Sequence, residues 1–281
     1  MIRELLHGVK SNFLSHVLLE EGMGRVHSVF ENSFNVMLSG KLVHVGKQSE
    51  GLSSFGLIIK DVQLDQLLGT VEVGMQVRNQ AGKLTIYGRR VIWSIYVSNF
   101  ETVDLAISES KKVLQSTAFL SQLLEEFTAL DIAEKTGLFE QEENQHLIEA
   151  FKETPLSDED FHADFIAHFI GRGIGLTPSG DDLLMGILMG CLLYKPDSNW
   201  PVLLKSQLSK VQTTAVSDAY YDALLQGYTS THFKTFLDAL GEGDLTNWPR
   251  LIENISKYGH TSGWDTLFGI NLYFENVQKN Q

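Results

Sequence analysis

The spacing of apolar residues changes once along the chain, near residue 105. Before this point, short runs rich in β-branched and aromatic residues, such as residues 25–30 and 34–38, are separated by Gly, Asn and Ser, which is typical of strands. After Ser108 the apolar residues recur at helical spacing. The sequence therefore predicts an α+β fold, in which an N-terminal β-rich half resembling a barrel or sandwich precedes a mostly α-helical half.

This change of pattern also gives the clearest domain boundary. We expect a β-rich domain over residues 1–105 and an α-helical domain over residues 106–281, which carries a Gly-rich loop. A single α+β domain with segregated halves is the alternative. Many short strands at close spacing favour a small antiparallel barrel or sandwich, and residues 79–82 predict a hairpin turn because Gly82 tolerates a positive φ.

Two local signals stand out at the start of the helical half. Residues 137–160 are polar and predict an internal linker. Residues 157–160, Ser-Asp-Glu-Asp, match a capping box that would open a helix running to Ile170, with Gly171 ending it in the left-handed conformation.

Composition narrows the functional classes. The net charge of −13, from 22 basic and 35 acidic residues, opposes binding to phosphate backbones and anionic lipid, so we expect neither nucleic acid nor a membrane as a partner.

Cys191 is the only cysteine, which excludes a disulfide-stabilised secreted scaffold. The longest apolar run, residues 183–194, is shorter than the roughly 20 residues of a bilayer span and predicts a buried core helix. The N-terminal residues lack a secretory signal pattern, so a cytoplasmic location is expected.

The most unusual segment is residues 171–182, Gly-Arg-Gly-Ile-Gly-Leu-Thr-Pro-Ser-Gly-Asp-Asp, between two predicted helices. Glycine lets the main chain approach a ligand, and the N terminus of a helix offers unpaired NH groups and a positive dipole end, so the segment predicts a phosphate or carboxylate site. A P-loop is excluded because Gly180 is followed by Asp181 and Asp182, and a dinucleotide fingerprint because no strand precedes the segment. The alternative is that Ser179 and Asp182 only cap a helix.

The beginning of this helix occurs a second time in the chain. Residues 179–187 and 262–270 match at Ser, Gly, Asp, Leu, Gly and Ile. The second glycine, Gly186 or Gly269, falls inside a helix, where Gly costs about 1 kcal/mol relative to Ala, so we expect a close approach of the two helices. Such a pair would direct two helix N termini at one substrate with two anionic ends. Chance similarity of two capped helices is the alternative.

Three segments carry a family resemblance: Gly-Leu-Thr-Pro-Ser-Gly-Asp-Asp at residues 175–182, Gly-His-Thr-Ser-Gly at 259–263 with Asp265, and His-Ser-Val-Phe at 27–30. Together they resemble the AllH-type family, catalogued as a domain of unknown function, whose best-described member is a subunit of oxamate carbamoyltransferase. The resemblance implies a component of a multi-subunit transferase of anaerobic allantoin degradation, a branch of purine catabolism. This enzyme interconverts oxalurate and phosphate with oxamate and carbamoyl phosphate, and other carbamoyltransferase subunits would be its partners. A non-catalytic scaffold or an anion-binding regulatory subunit is the alternative.

Oxalurate and carbamoyl phosphate each carry an anionic end and NH donors, which suits the Gly-rich loop. In this hypothesis the catalytic residues are Asp181, Asp182 and Arg172: the guanidinium stabilises the leaving group, and the carboxylates accept NH from the carbamoyl group or hold Mg²⁺ through water. Mg²⁺ is the only cofactor proposed. The substrate-binding residues of this hypothesis are in the two helix starts: Gly173, Gly175, Thr177, Ser179, Gly180, His260, Thr261, Ser262, Gly263 and Asp265.

These substrate-binding residues have separate roles in the hypothesis. The NH groups of the loop glycines hold phosphate, the Thr and Ser hydroxyls donate to substrate oxygens, and Asp265 caps or orients the second helix. Two histidines, His27 and His260, are candidate acid–base groups because an unperturbed imidazole titrates near pH 6.5. A structural histidine is the alternative for each of them.

Overall fold

The computed structural model of the protein describes residues 1–108, 116–139, 141–194, 199–257, 259 and 261–280. Internal contacts divide the chain into two compact units. The first unit comprises Met1–Ala106 and Tyr228–His232, and the second comprises Ile107–Gly227 and Phe233–Gln281. The predicted α+β class is confirmed, because a β-rich half precedes a helical half.

The first unit is built on one ten-stranded sheet, curled into a half-barrel, within the described residues. Its strands are β1 (Ile2–Leu5), β2 (Val9–Ser11), β3 (Gly22–Val29), β4 (Ser33–Leu38), β5 (Lys41–Lys47), β6 (Gly56–Ile59), β7 (Gln76–Gln80), β8 (Lys83–Tyr87), β9 (Ile92–Tyr96) and β10 (Glu101–Val103). Their order in the sheet is β1-β9-β8-β7-β3-β4-β5-β6-β2-β10. Helices α1 (Leu14–Leu19) and α2 (Asp61–Leu68) and the 3₁₀ turns Gln48–Glu50 and Val97–Asn99 complete this part of the chain.

The β7–β8 hairpin shows how the sequence encodes these strands. In β7, Val77 and Asn79 are buried while the residues between and beside them are exposed, as expected for a strand with one face on a core. The turn between the strands is Ala81-Gly82, and both residues have positive φ (50° and 77°). A turn with two positive φ values matches the twist of paired strands, so the predicted hairpin turn is confirmed.

The sheet is mixed, whereas the sequence predicted an antiparallel barrel or sandwich. β1 pairs with β9, β2 with β10 and β5 with β6 in parallel orientation. The first two of these pairs join strands at opposite ends of the first half of the sequence. Strands of three or four residues carry too little alternation to be recognised, and their partners depend on the folding of the whole sheet.

The remaining helices contribute the residues of one large hydrophobic core. They are α3 (Thr117–Thr128), α4 (Glu142–Glu153), α5 (Glu159–Phe169), α6 (Ser179–Tyr194), α7 (Trp200–Leu208), α8 (Ala215–Leu225), α9 (Thr231–Glu242), α10 (Trp248–Ser256) and α11 (Ser262–Lys279), with a 3₁₀ turn at Ile132–Lys135. None of the helices in the described ranges is long and apolar enough to cross a membrane.

The predicted linker over residues 137–160 is wrong, because α4 lies inside it. Ile148 and Phe151 are buried, and their spacing gives an otherwise polar helix a narrow apolar face. The capping signal is shifted by one residue: the carboxylate of Asp158 accepts from the Phe161 NH at 3.1 Å and caps α5. The predicted end of α5 is confirmed, since Gly171 has a φ of +69°.

Helices α6 and α11 form the centre of the second unit and touch backbone to backbone. A β-carbon on Gly186 would lie 2.1 Å from the Thr266 carbonyl oxygen, and one on Gly269 would lie 2.1 Å from the Leu183 carbonyl oxygen. Gly186 is seven residues after Ser179 and Gly269 is seven after Ser262, so the two helices cross at equivalent positions. The predicted close approach is confirmed, and the second glycine of each repeat is required by the crossing.

We predict that Gly186→Ala lowers the free energy of unfolding by about 2 kcal/mol or more, because the methyl group must push two backbones apart. In an isolated helix the same change would be stabilising by about 1 kcal/mol. Urea unfolding followed by tryptophan fluorescence measures the difference. Gly190→Ala is the comparison on α6: its methyl would meet the buried Tyr273 side chain at 2.7 Å, whereas the nearest atoms to a methyl at Gly186 are backbone, so the loss should be smaller because one side chain shifts more easily than two helices. An equal or larger stability for Gly186→Ala would contradict the crossing.

Candidate functional site

The starts of α6 and α11 are hydrogen-bonded to each other. Ser262, the first residue of α11, donates to Asp182 in the first turn of α6, and Ser179, the first residue of α6, donates to Asp265 in the first turn of α11. Ser179 and Asp182, which the sequence offered as a capping pair within α6, are thus each bonded to α11. The crossing at the two glycines makes this exchange reciprocal, and it places two carboxyl groups at the positive ends of two helix dipoles.

Asp182 is in the middle of a cluster of three side-chain oxygen groups. It is 4% exposed, and its carboxyl group is hydrogen-bonded to Thr177 and to Ser262, whose own hydroxyl oxygens are 2.9 Å apart. Three contacts need three hydrogens, but two hydroxyls supply only two. A protonated Asp182 supplies the third. The hydrogen count therefore favours a neutral carboxylic acid at this position.

The electrostatic surroundings of Asp182 agree with this count. Burial is the largest cause that raises the pKa of Asp182 well above its usual value, and the negative charges of Asp265 and Asp181 add to it. The hydrogen bonds from Ser262 and Thr177 favour the charged form and offset only part of the shift. Within the described residues, no Lys, Arg or His forms an ion pair with any of these three carboxyl groups.

Asp265 is completely buried in the equivalent place on α11. Its Oδ1 accepts from the Gly137 NH at 2.9 Å, and Ser179 and Thr261 also donate to the carboxyl group. Burial raises the pKa of Asp265, against the effect of these three donors. One oxygen of each aspartate, Asp182 Oδ2 and Asp265 Oδ2, is buried without a hydrogen-bond partner in the described residues. Buried polar atoms without a partner are rare in folded proteins, so each of these two oxygens is available to accept a hydrogen bond from a ligand.

Asp181 differs from its neighbour because both of its oxygens are occupied. Oδ1 accepts from the Gly171 NH at 2.9 Å and from the Tyr221 hydroxyl at 3.0 Å, and Oδ2 accepts from the Thr213 hydroxyl. Asp181 therefore ties the start of α6 to the end of α5 and to the start of α8. The Tyr221 hydroxyl also donates to the Asp181 carbonyl oxygen at 3.2 Å, and burial raises the pKa of this tyrosine well above its usual value.

The Gly-rich loop has a fixed base and an exposed tip. Gly173 and Gly175 have positive φ values of 122° and 99°, and the side chain of Ile174 between them is 93% exposed. The base is held by the Thr214 hydroxyl, which donates to the Leu176 carbonyl oxygen. The Gly173 end of the tip packs against the start of α6, since a β-carbon there would lie 2.8 Å from the Ser179 nitrogen.

Of the three loop glycines predicted to hold phosphate, Gly180 has its NH already bonded. This NH donates to the Arg172 carbonyl oxygen at 2.8 Å, and a β-carbon on Gly180 would lie 2.2 Å from the Phe169 carbonyl oxygen. Gly180 is thus required by the close approach of the chain at the end of α5. The NH groups of Gly173 and Gly175 have no hydrogen-bond partner among the described residues.

Arg172 points toward the start of α4. Its Nε donates to the His168 carbonyl oxygen at 3.1 Å, its Nη1 donates to Gln141 Oε1 at 2.9 Å, and Glu143 Oε2 is 3.6 Å from Nη1. The Arg172 side chain as a whole is 33% exposed. The sequence predicted its charge at the ligand, whereas the structure gives it partners on α4.

The remaining predicted residues surround the start of α11. The Thr261 carbonyl oxygen accepts from the Asp265 NH at 2.9 Å, and Gly263 is buried in the first turn. His260 lies outside the described residues.

The described residues do not assemble a magnesium site at Asp181 and Asp182. They contain no group of three or more His, Cys, Asp or Glu residues placed to hold a metal ion. Both oxygens of Asp181 accept hydrogen bonds from the chain, so an ion at this carboxylate would have to compete with the Gly171 NH and the Thr213 hydroxyl.

Sequence reasoning missed three residues of this region. Gly137 was assigned to a linker, yet its NH binds Asp265 and a β-carbon there would lie 2.5 Å from Ser179 Oγ. Tyr221 and Asp218 lie on α8, and no motif in the sequence marks either residue. Burial raises the pKa of Asp218, and the charges of Asp181 and Asp222 add to the effect. The polar pair Thr213-Thr214 before α8 was the only available signal that α8 begins beside the loop.

Two family models match the chain. One, described as oxamate carbamoyltransferase subunit AllH, matches residues 169–274, which include the loop, α6 and most of α11. The other, described as the AllH family N-terminal domain, matches residues 6–102. No solved structure matches the chain.

The raised pKa of Asp182 generates a prediction about pH. An aspartate ionises near 3.8 in the unfolded chain and at a higher pH in the fold, so the folded state holds an extra proton between the two values. The contribution of Asp182 to stability should therefore fall as the pH rises through this window. Asp182→Asn removes the titration, so its unfolding free energy relative to the native protein should rise with pH above about 4.

Urea unfolding at a series of pH values measures this difference. The exposed Asp164 on α5 provides the control, because Asp164→Asn should leave the pH dependence unchanged. A pH dependence that is the same in Asp182→Asn and in the native protein would show that Asp182 is ionised in the fold.

Proposed function

The chain belongs to the AllH family, whose model is described as a subunit of oxamate carbamoyltransferase, and we propose that its second unit binds the carbamoyl group at the paired starts of α6 and α11. The reaction proposed is the interconversion of oxalurate and phosphate with oxamate and carbamoyl phosphate, in anaerobic allantoin degradation in the cytoplasm. Other carbamoyltransferase subunits complete the enzyme, which the word subunit in the family description supports.

The observation that carries this proposal is the cluster of Asp182, Thr177 and Ser262. The cluster holds a buried carboxyl oxygen without a partner, next to two hydroxyls that can each donate or accept. A carbamoyl group presents a carbonyl oxygen and an NH₂ group side by side. The hydroxyls suit the carbonyl oxygen, and the carboxyl group suits the nitrogen.

A neutral Asp182 has a specific use in this reaction. When phosphate attacks the carbamoyl carbon of oxalurate, a C–O bond forms and the bond from carbon to the oxamate nitrogen breaks. The departing nitrogen needs a proton, which a carboxylic acid with a raised pKa holds at neutral pH. The proton of the attacking hydrogen phosphate then returns to Asp182, so the group is ready for another cycle. In the reverse direction the same carboxylate acts as the general base.

The other predicted residues take supporting roles in the proposal. The NH groups of Gly173 and Gly175 bind the anionic phosphate or carboxylate end, since they have no partner in the described residues. Asp181 and Arg172 hold the loop in place through their hydrogen bonds to the chain. Asp182 Oδ2 is closed to solvent, so a ligand reaches it only after groups around the cluster move.

Replacement of the Thr177 hydroxyl tests the proposal in the complete enzyme. Thr177→Val keeps the shape of the side chain but removes the hydroxyl, and we expect carbamoyl phosphate to bind about 10-fold to 100-fold more weakly, the equivalent of one hydrogen bond in a buried site. Thr177→Ser is the matched control and should bind like the native protein. Titration calorimetry with carbamoyl phosphate, oxalurate and oxamate, on the chain assembled with its partner subunits, measures the affinities.

The same measurement separates the proposal from the alternative of a scaffold subunit. If Thr177→Val and Asp182→Asn bind all three compounds with native affinity in an intact assembly, the second unit holds no substrate. If the two variants fail to assemble while Thr177→Ser assembles, the cluster supports contacts between subunits, and the scaffold function replaces the catalytic one.

A further inference from the structure

A second polar cluster lies in the first unit, on the neighbouring strands β3, β4 and β5. His27 Nδ1 and Ser28 Oγ are 3.2 Å apart, and Asn35 Nδ2 donates to Ser28 Oγ at 3.0 Å. His44 Nδ1 is 2.9 Å from Asn35 Oδ1. We call these four residues the serine relay. They belong to no part of the site on α6 and α11.

A β-bulge brings the first two residues of the relay together. Val26 pairs with Val36 in the β3–β4 ladder, but the next pair is Ser28 with Asn35, so His27 is an extra residue in β3. In a regular strand adjacent side chains point to opposite faces, and a histidine would not reach the following serine. Bulges re-aim side chains and are concentrated beside active sites.

The hydrogen bonds of the serine relay run in one direction. Asn35 Oδ1 can only accept, so His44 Nδ1 carries the hydrogen of this bond. Burial lowers the pKa of His44 to about 4, which keeps the ring neutral. Asn35 then gives a hydrogen to Ser28, which leaves the hydroxyl hydrogen of Ser28 free to be donated to His27 Nδ1 when that ring carries its own hydrogen on Nε2. A serine that donates to an imidazole nitrogen has the arrangement of a nucleophile with its base.

The accessible end of the serine relay is the end that would react. Asn35 is 2% exposed, whereas His27 and Ser28 are half-buried and within reach of a small molecule. His44 has room because residue 46 is glycine: a β-carbon there would lie 2.8 Å from His44 Nε2. The buried end therefore fixes the direction of the hydrogen bonds, and the outer end presents the hydroxyl.

We propose that Ser28 is a nucleophilic serine and His27 is its general base, forming a second reactive site for a small activated carbonyl compound, such as an acyl or carbamoyl donor. Ser28 Oγ forms a bond to the carbonyl carbon while its proton passes to His27 Nδ1. The bond from this carbon to the leaving group then breaks, and the leaving group departs with the electron pair and the proton from His27. The products are an ester or carbamate of Ser28 and the protonated leaving group. Asn35 Nδ2 donates to Ser28 Oγ and so orients the serine hydroxyl for transfer of its proton to His27.

Labelling with a fluorophosphonate tests this inference, because such probes react with activated serines and release fluoride. We expect one probe molecule on the peptide that contains Ser28, located by mass spectrometry of the folded, complete chain. Ser28→Ala should lose the label. His27→Leu should slow the labelling by about 100-fold, which is the contribution of a general base. His7→Ala, an exposed histidine elsewhere in the unit, is the matched control and should label at the native rate.

Three results would overturn the inference. The first is that Ser28 of the folded protein takes up no label. The second is that the half-buried Ser33 is labelled at the same rate as Ser28. The third is that His27→Leu is labelled at the native rate. Thermal unfolding of each variant shows whether it is folded.

A second measurement needs no substitution: nitrogen NMR of the native protein should find the ring hydrogen of His27 on Nε2 and that of His44 on Nδ1. The opposite tautomers would mean that Ser28 does not donate to His27, and the inference would fail. Neither test uses carbamoyl transfer, so its outcome is independent of the function proposed for the second unit.

Discussion

The contact between the α6 and α11 backbones is the constraint on which the second unit depends. Two helices normally pack 8–10 Å apart because their side chains keep the axes separated. At Gly186 and Gly269 no side chain intervenes, and each glycine faces a carbonyl oxygen of the other helix. Because the crossing lies at equivalent positions of the two repeats, it also places the two helix starts in equivalent positions. The exchange of serine–aspartate hydrogen bonds follows from this geometry.

Burial of several carboxyl groups at one place is electrostatically unfavourable, and the surroundings of Asp181 and Asp182 offset this in different ways. Asp181 is surrounded by three donors from other segments, so both of its oxygens are hydrogen-bonded. Asp182 shares two hydroxyls that also contact each other, so its proton completes the network. Adjacent residues of identical chemistry thus have different roles: one holds the loop to α5 and α8, and the other is left with a proton and an unbonded oxygen. The difference in donors, and not in residue type, separates a structural carboxylate from a candidate acid.

The first unit illustrates a similar point with a single inserted residue. The ladder between β3 and β4 would place His27 and Ser28 on opposite faces without the bulge. With the bulge, a histidine, a serine and an asparagine from adjacent strands are joined by side-chain hydrogen bonds, and the series continues to His44. In both units the polar groups are therefore brought together by a local departure from regular packing, a bulge in the sheet and a pair of glycines in the helices.

The sequence by itself determined the class of fold, most strands of the first half, the buried character of α6, the internal repeat and the close approach of two helices at Gly186 and Gly269. These features depend on local periodicity and on the conformational limits of glycine, which are properties of a few neighbouring residues. Tertiary structure alone decided the parallel pairs of the sheet, the helix inside residues 137–160, and which of the adjacent aspartates is saturated by donors. Tertiary structure likewise decided that each serine bonds to the aspartate of the other helix, and that Arg172 turns to α4. The physical reason is that hydrogen-bond partners and carboxyl pKa values depend on groups far apart in the chain, as when Gly137 and Ser179 meet Asp265, and only the packed fold brings such groups within hydrogen-bonding distance.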